Sequence, residues 1–152
     1  MVKNKIIIYT DGACSNNQEE KNFGGYGAIM LYKNHKKEIF GGEKNTTNNI
    51  MEMKAIIEAL KQLKTKKIPV EIYTDSAYIA NCINKKWYEK WIKNGWKTAS
   101  KKPVKNQELW KEIISYVKEI ENITFHKVPG HSGVELNEKA DELANKGIDS
   151  IR

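Results

Sequence analysis

At 152 residues, 39% of them apolar and 30% charged, the chain is long enough for one domain with a real core and too short for two. Its two cysteines, Cys14 and Cys82, exclude a disulfide-built fold, and with no long apolar run or signal peptide the expectation is a soluble, reduced, cytoplasmic protein with no membrane partner. The formal charge of +7 arises from 26 Lys and Arg against 19 Asp and Glu, and Arg152 is the one arginine, so contact with a polyanion's backbone is favoured over bidentate reading of bases.

Taken in order, Lys5-Ile6-Ile7-Ile8-Tyr9-Thr10-Asp11-Gly12 is a β-branched run that predicts a buried strand with Asp11 at its end. An Asp-Gly turn would account for the last two residues by themselves. The pattern returns, however, at Ile72-Tyr73-Thr74-Asp75-Ser76-Ala77, and two strand-end aspartates in one small domain point to a shared site with a cationic partner. Between them, a polar stretch over residues 14–22 leads into the glycine-rich strand Phe23-Gly24-Gly25-Tyr26-Gly27-Ala28-Ile29-Met30-Leu31-Tyr32. Lys33-Asn34-His35-Lys36 makes a turn with His35 in solvent, and residues 37–42 return as a third strand of an antiparallel meander. Thr46-Thr47-Asn48-Asn49 offers helix caps, and Met53, Ile56, Ile57, Leu60 and Leu63 follow at helical spacing. Glu52 falls at the edge of that stripe, either as the closing residue of a capping box opened by Asn49 or as a third functional acid. Pro69 then leads into the second Thr-Asp strand, giving a βαβ unit beside the meander.

Beyond Ser76, the residues Ile79, Cys82 and Ile83 predict a short helix. Residues 85–105 carry eight lysines with Trp87, Trp91 and Trp96 against a single acid, Glu89, and are broken at Asn94-Gly95. Trp87 and Trp91, four apart, would share one helical face. One reading is a lysine-flanked helix whose tryptophans are core; the favoured one is a basic protrusion that holds a nucleic-acid backbone. Asn106 is expected to cap a helix carrying Leu109, Trp110, Ile113, Ile114 and Val117, and Ile123-Thr124-Phe125-His126-Lys127-Val128 is the last strand, with His126 structural. Pro129-Gly130-His131-Ser132-Gly133 sets a histidine between glycines on a loop. A closing helix over residues 135–146 buries Leu136, Ala140, Leu143 and Ala144 with Asp141 beside the stripe, and Gly147 opens a short tail.

Asp11, Glu52, Asp75 and Asp141, gathered at one end of a sheet, would repel one another unless hard cations were bound. Mg²⁺ or Mn²⁺ suits such an all-oxygen site, whereas no Cys/His spacing supports zinc.

The chain resembles the type 1 ribonucleases H in their bacterial form over nearly its whole length. The likeness rests on Tyr9-Thr10-Asp11-Gly12, Gly24-Gly25-Tyr26-Gly27-Ala28, Thr46-Thr47-Asn48-Asn49-Ile50-Met51-Glu52, Thr74-Asp75-Ser76, Gly95-Trp96-Lys97-Thr98, Lys101-Lys102-Pro103-Val104-Lys105-Asn106, Gly130-His131-Ser132-Gly133 and Asn137-Glu138-Lys139-Ala140-Asp141. It implies an α/β ribonuclease H-like fold over residues 1–152: a five-stranded mixed sheet with helices on both faces and a basic protrusion at about residues 85–105. By the same resemblance Asp11, Glu52, Asp75 and Asp141 match metal-binding carboxylates and His131 a catalytic histidine. Asn17, Thr47 and Asn49 match hybrid contacts, and Lys86, Trp87, Lys90, Trp91, Lys93, Trp96 and Lys97 belong to the protrusion. The implied activity is endonucleolytic hydrolysis of the RNA strand of an RNA–DNA hybrid by a monomer using two Mg²⁺ ions, with Mn²⁺ as substitute, leaving 5′-phosphate and 3′-hydroxyl ends. In this scheme one ion activates water and the other stabilises the leaving oxygen. Two features depart from the family pattern: the loop before Gly24 is longer and lacks the proline and glycines often found there, and Ala77 stands where some relatives have a polar residue. The alternatives are a non-catalytic hybrid-binding module and a DNA-directed nuclease on the same fold.

Overall fold

The computed structural model of the protein describes residues 4–15, 22–128 and 135–152. One mixed sheet is built in the order β3-β2-β1-β4-β5 from β1 (Ile6–Cys14), β2 (Phe23–Tyr32), β3 (His35–Lys44), β4 (Val70–Thr74) and β5 (Ile123–Lys127). The first three strands are the expected antiparallel meander; β4 pairs parallel to β1, and β5 parallel to β4. The helices are α1 (Asn48–Lys61), α2 (Ala77–Asn84), α3 (Trp87–Asn94), α4 (Gln107–Glu119) and α5 (Glu135–Ile151). No helix among the described residues is long and apolar enough to cross a membrane.

The two-residue period of the strands sorts side chains between two faces. Ile8, Ile72 and Phe125 stand opposite one another in register, none more than 2% exposed, and belong to one core with Met53, Ile56 and Leu60 of α1 and Trp110 and Ile113 of α4. Burial of each such side chain contributes about 1.5–3 kcal/mol. The next row, Tyr9, Tyr73 and His126, points to the other face and stacks ring on ring, with centroids 4.6 and 4.8 Å apart. His126 is thus part of the packing, with Nε2 3.7 Å from Glu71.

On that second face α5 lies against the meander, backbone to backbone. A Cβ added at Gly25 would come 2.0 Å from the Ala144 carbonyl, and one at Gly147 2.0 Å from that of Gly41. Gly147 is therefore inside α5, which runs on to Ile151 where a tail was expected. A helix-interior glycine costs about 1 kcal/mol against alanine, but any side chain here would lift the helix from the sheet. Asn106 also differs from expectation: it precedes α4 in a left-handed conformation, φ 60°, and its side chain makes no capping bond.

Candidate active site

Asp11 lies within β1, not at its end. The parallel ladder with β4 stops at Tyr9–Tyr73, while the antiparallel ladder with the glycine-rich β2 continues through Asp11–Gly27 to Cys14–Gly24. The carboxylate thus stands where β1 loses one neighbour and keeps the other. Asp75, the residue after β4, enters from the vacated side. Gly12 is not a turn residue: a Cβ there would fall 2.4 Å from the backbone nitrogen of Glu52 and 2.5 Å from the Met51 carbonyl carbon. Only a glycine allows α1 to rest on β1 at this point. Its amide donates to Asp11 Oδ1 at 2.9 Å and to Glu52 Oε1 at 3.3 Å.

Glu52 does not close a capping box. The N-cap is Thr47, whose Oγ1 accepts the Ile50 amide at 3.1 Å, so Glu52 sits in the second turn, 9% exposed and turned inward. Its Oε2 takes a long bond from Thr74 Oγ1, 3.5 Å. Oxygens of Asp11, Glu52 and Asp75 lie within 4.8 Å of one another. Asp141, carried by α5, adds its charge to Asp11 from the opposite face while lying outside that cluster of three. The glycines of β2 permit this, since a Cβ on Gly27, the partner of Asp11, would meet the Ala140 carbonyl at 2.8 Å. All four acids are brought together.

Their electrostatics are those of an uncompensated cluster. Burial first, then the charge of Asp75 and the adjoining Asp141, pushes the Asp11 carboxyl up to about 8, against the opposing Gly12 amide. Burial, then Asp75 and Asp11, pushes Glu52 up to about 10. Among the described residues none of the four is in an ion pair, although lysines pair with Glu43, Glu58, Glu71 and Glu112 elsewhere. Oxygen-only donors, mutual crowding and the lack of a side-chain cation are what a divalent-metal site requires. His131 and Asn17 lie outside the described residues.

Thr47 and Asn49 stand at the start of α1, Thr47 exposed and Asn49 half-buried. The protrusion separates its residues by role. Trp91 is 8% exposed and packs against Trp110, with ring centroids 5.5 Å apart, and against half-buried Trp96 at 5.8 Å. Trp91 is therefore core, which removes it from the rings open to a nucleic acid, and Trp96 is largely occupied, with Lys111 over its ring at 5.3 Å. Trp87 remains 36% exposed and Lys86, Lys90, Lys93 and Lys97 are exposed. A left-handed Lys86, φ 56°, separates α2 from α3, and Gly95, φ 79°, ends α3 where the Asn-Gly break predicted. The sequence reading overlooked Tyr78, 43% exposed beside Trp87 and three residues after Asp75; its position one turn from a site acid was the available signal.

The family model for RNase H matches residues 3–149. The Ribonuclease H of Clostridium botulinum (strain Hall) is 51% identical over 147 residues, 97% of each chain. That of Chlorobaculum parvum is 52% identical over 143 residues, 94% of each. Among solved structures, that of LC11-RNase H1 in complex with RNA/DNA hybrid superposes with a TM-score of 0.69 at 29% identity, covering 97% of this chain and 99% of the other.

Proposed function

Because this chain belongs to the ribonuclease H family, we propose that it hydrolyses the RNA strand of RNA–DNA hybrids, leaving 5′-phosphate and 3′-hydroxyl ends. The observation that carries this is the convergence of Asp11 from β1, Asp75 just after β4, Glu52 from α1 and Asp141 from α5, with no cationic side chain paired to them among the described residues. Mg²⁺, with Mn²⁺ as substitute, bound as two ions by these four carboxylates would make water a nucleophile at neutral pH and offset charge building on the phosphate and the leaving 3′-oxygen.

The residues of the chain supply the rest. The Gly12 amide orients Asp11 and Glu52 oxygens toward one point, and Thr74 steadies Glu52. Lys86, Lys90, Lys93 and Lys97 hold phosphates of the duplex as point charges, and Trp87 with Tyr78 gives an apolar wall for sugars. Thr47 and Asn49 contact the hybrid beside Glu52, and Asn17 does so from the first loop; recognition of the RNA strand runs through its 2′-hydroxyls. His131 moves a proton at the scissile phosphate, a role whose loss costs roughly 10²–10⁴-fold in rate.

Labelled hybrid, duplex DNA and duplex RNA incubated with Mg²⁺ and with EDTA test the reading. Expected is metal-dependent cutting of the RNA strand of the hybrid and of nothing else. Binding without cutting would make the chain a hybrid-binding module, and cutting of duplex DNA would make it a DNA nuclease.

A further inference from the structure

We propose that Asn22 is a positioning residue that holds the hybrid-binding start of α1 in place; this rests on the reading of Thr47 and Asn49 as hybrid contacts. Asn22 ends the polar loop and lies one residue before β2. Its carboxamide pairs with both backbone polar groups of a single residue: Oδ1 accepts the Thr46 amide at 2.9 Å and Nδ2 donates to the Thr46 carbonyl at 3.0 Å. Its own carbonyl accepts the Asn45 amide at 2.9 Å. The backbone carbonyl thereby continues the β2–β3 ladder one step past its last pair, Phe23–Lys44, and the side chain carries the pairing on to Thr46, where the chain turns toward α1.

That turn needs holding. Asn45 is left-handed, φ 56°, and Thr46 is 6% exposed, so its amide and carbonyl are shielded from water. The other bond to that carbonyl among the described residues, from the Cys14 thiol, is 3.6 Å long. Thr47 comes next and caps the helix. The N-terminal part of α1 thus has two separate anchors. Gly12 seats the second turn under Glu52, and Asn22 fixes the residue before the cap. Losing the second anchor frees Thr47 and Asn49 while Glu52 stays seated, so substrate affinity falls before the chemical step does.

A double-mutant cycle in the full-length protein, read as KM and kcat on a labelled hybrid with Mg²⁺, tests this. Asn22→Ala is expected to raise KM roughly tenfold, as loss of two positioning hydrogen bonds implies, with kcat changed less than about threefold. The Thr46 and Ile50 amides should exchange faster in the variant. Thr47→Ala alone raises KM, and adding Asn22→Ala to it raises KM by less than about twofold more, because the two act as one unit. Should Asn22→Ala fail to fold, Asn22→Asp, which keeps the acceptor for the Thr46 amide, carries the same cycle. Additive effects on KM, an unchanged KM in Asn22→Ala, or equal losses in kcat and KM would each overturn the proposal. A Thr47→Ala variant with wild-type KM would overturn the route through Thr47 while hybrid cleavage by wild type stood. A wild type inert toward hybrid would sink the hydrolase reading first and the proposal with it.

Discussion

At the acid site two of the four acids are covered, Asp11 at 8% and Glu52 at 9% exposure, with Asp75 and Asp141 exposed beside them, whereas in the protrusion the proposed contacts are all residues that packing leaves outside, Trp87 and the lysines around it. The acids crowd one another with no cationic side chain paired to them among the described residues, and burial together with that crowding raises the carboxyls of Asp11 and Glu52. The lysines repel less because water and salt screen them, and their segment is held by Trp91, Trp96 and Trp110. A chemical centre is thus made from groups that destabilise the fold, and the proposed binding surface from groups nearly neutral to it.

The sharpest way to break this contrast is Asp11→Asn, which removes one oxygen ligand and one charge. Hybrid turnover in Mg²⁺ should fall about 10³-fold or more while hybrid binding persists, because no lysine is touched. Rapid turnover by that variant would contradict the site.

Trp91→Ala and Trp87→Ala should differ although the residues are four apart on one helix. Trp91→Ala is expected to cost about 3–5 kcal/mol of stability as a core truncation. Trp87→Ala should leave the melting curve within a few degrees of wild type and weaken hybrid binding instead. Equal melting curves for the two would erase the division of labour within the protrusion.

Lys86, Lys90 and Lys93 replaced together by Ala should raise KM with little change in kcat at saturating hybrid. Every lysine that no longer meets a phosphate should lower the log–log salt slope of binding by about one unit. A wild-type slope in the triple variant would mean a solvated basic face and no more.

The acids also predict a pH dependence of stability without metal. The folded carboxyls of Asp11 and Glu52 are raised above their unfolded values of about 4, so over that window the folded state binds more protons than the unfolded one. Stability should be greatest near the unfolded values and decline as pH rises through about 8 for Asp11 and on toward about 10 for Glu52. Melting in EDTA at about pH 5 and about pH 8.5 measures this. Asp11→Asn should flatten the decline, and Mg²⁺ should stabilise wild type more than the variant at the higher pH. Parallel curves for the two proteins would mean the acids do not interact.

The strands, the helices around Met53 and Trp110, and the identity of the four acids follow from the chain itself. Two-residue and helical periods are local properties, and a carboxylate ending an isoleucine run is visible wherever the strand later goes. The sequence likewise carried Trp87 and Trp91 as equals, left Gly12 open to a turn and Glu52 open between a helix cap and a functional acid, and took Gly147 as the start of a tail. Tertiary structure reassigned each, because each depends on what approaches from far along the chain: α1 upon Gly12, β3 upon Gly147, and Trp110 upon Trp91 but not Trp87. Asn22 lay unread for the same reason, since no local pattern says that a loop carboxamide will meet Thr46 across 24 residues of chain.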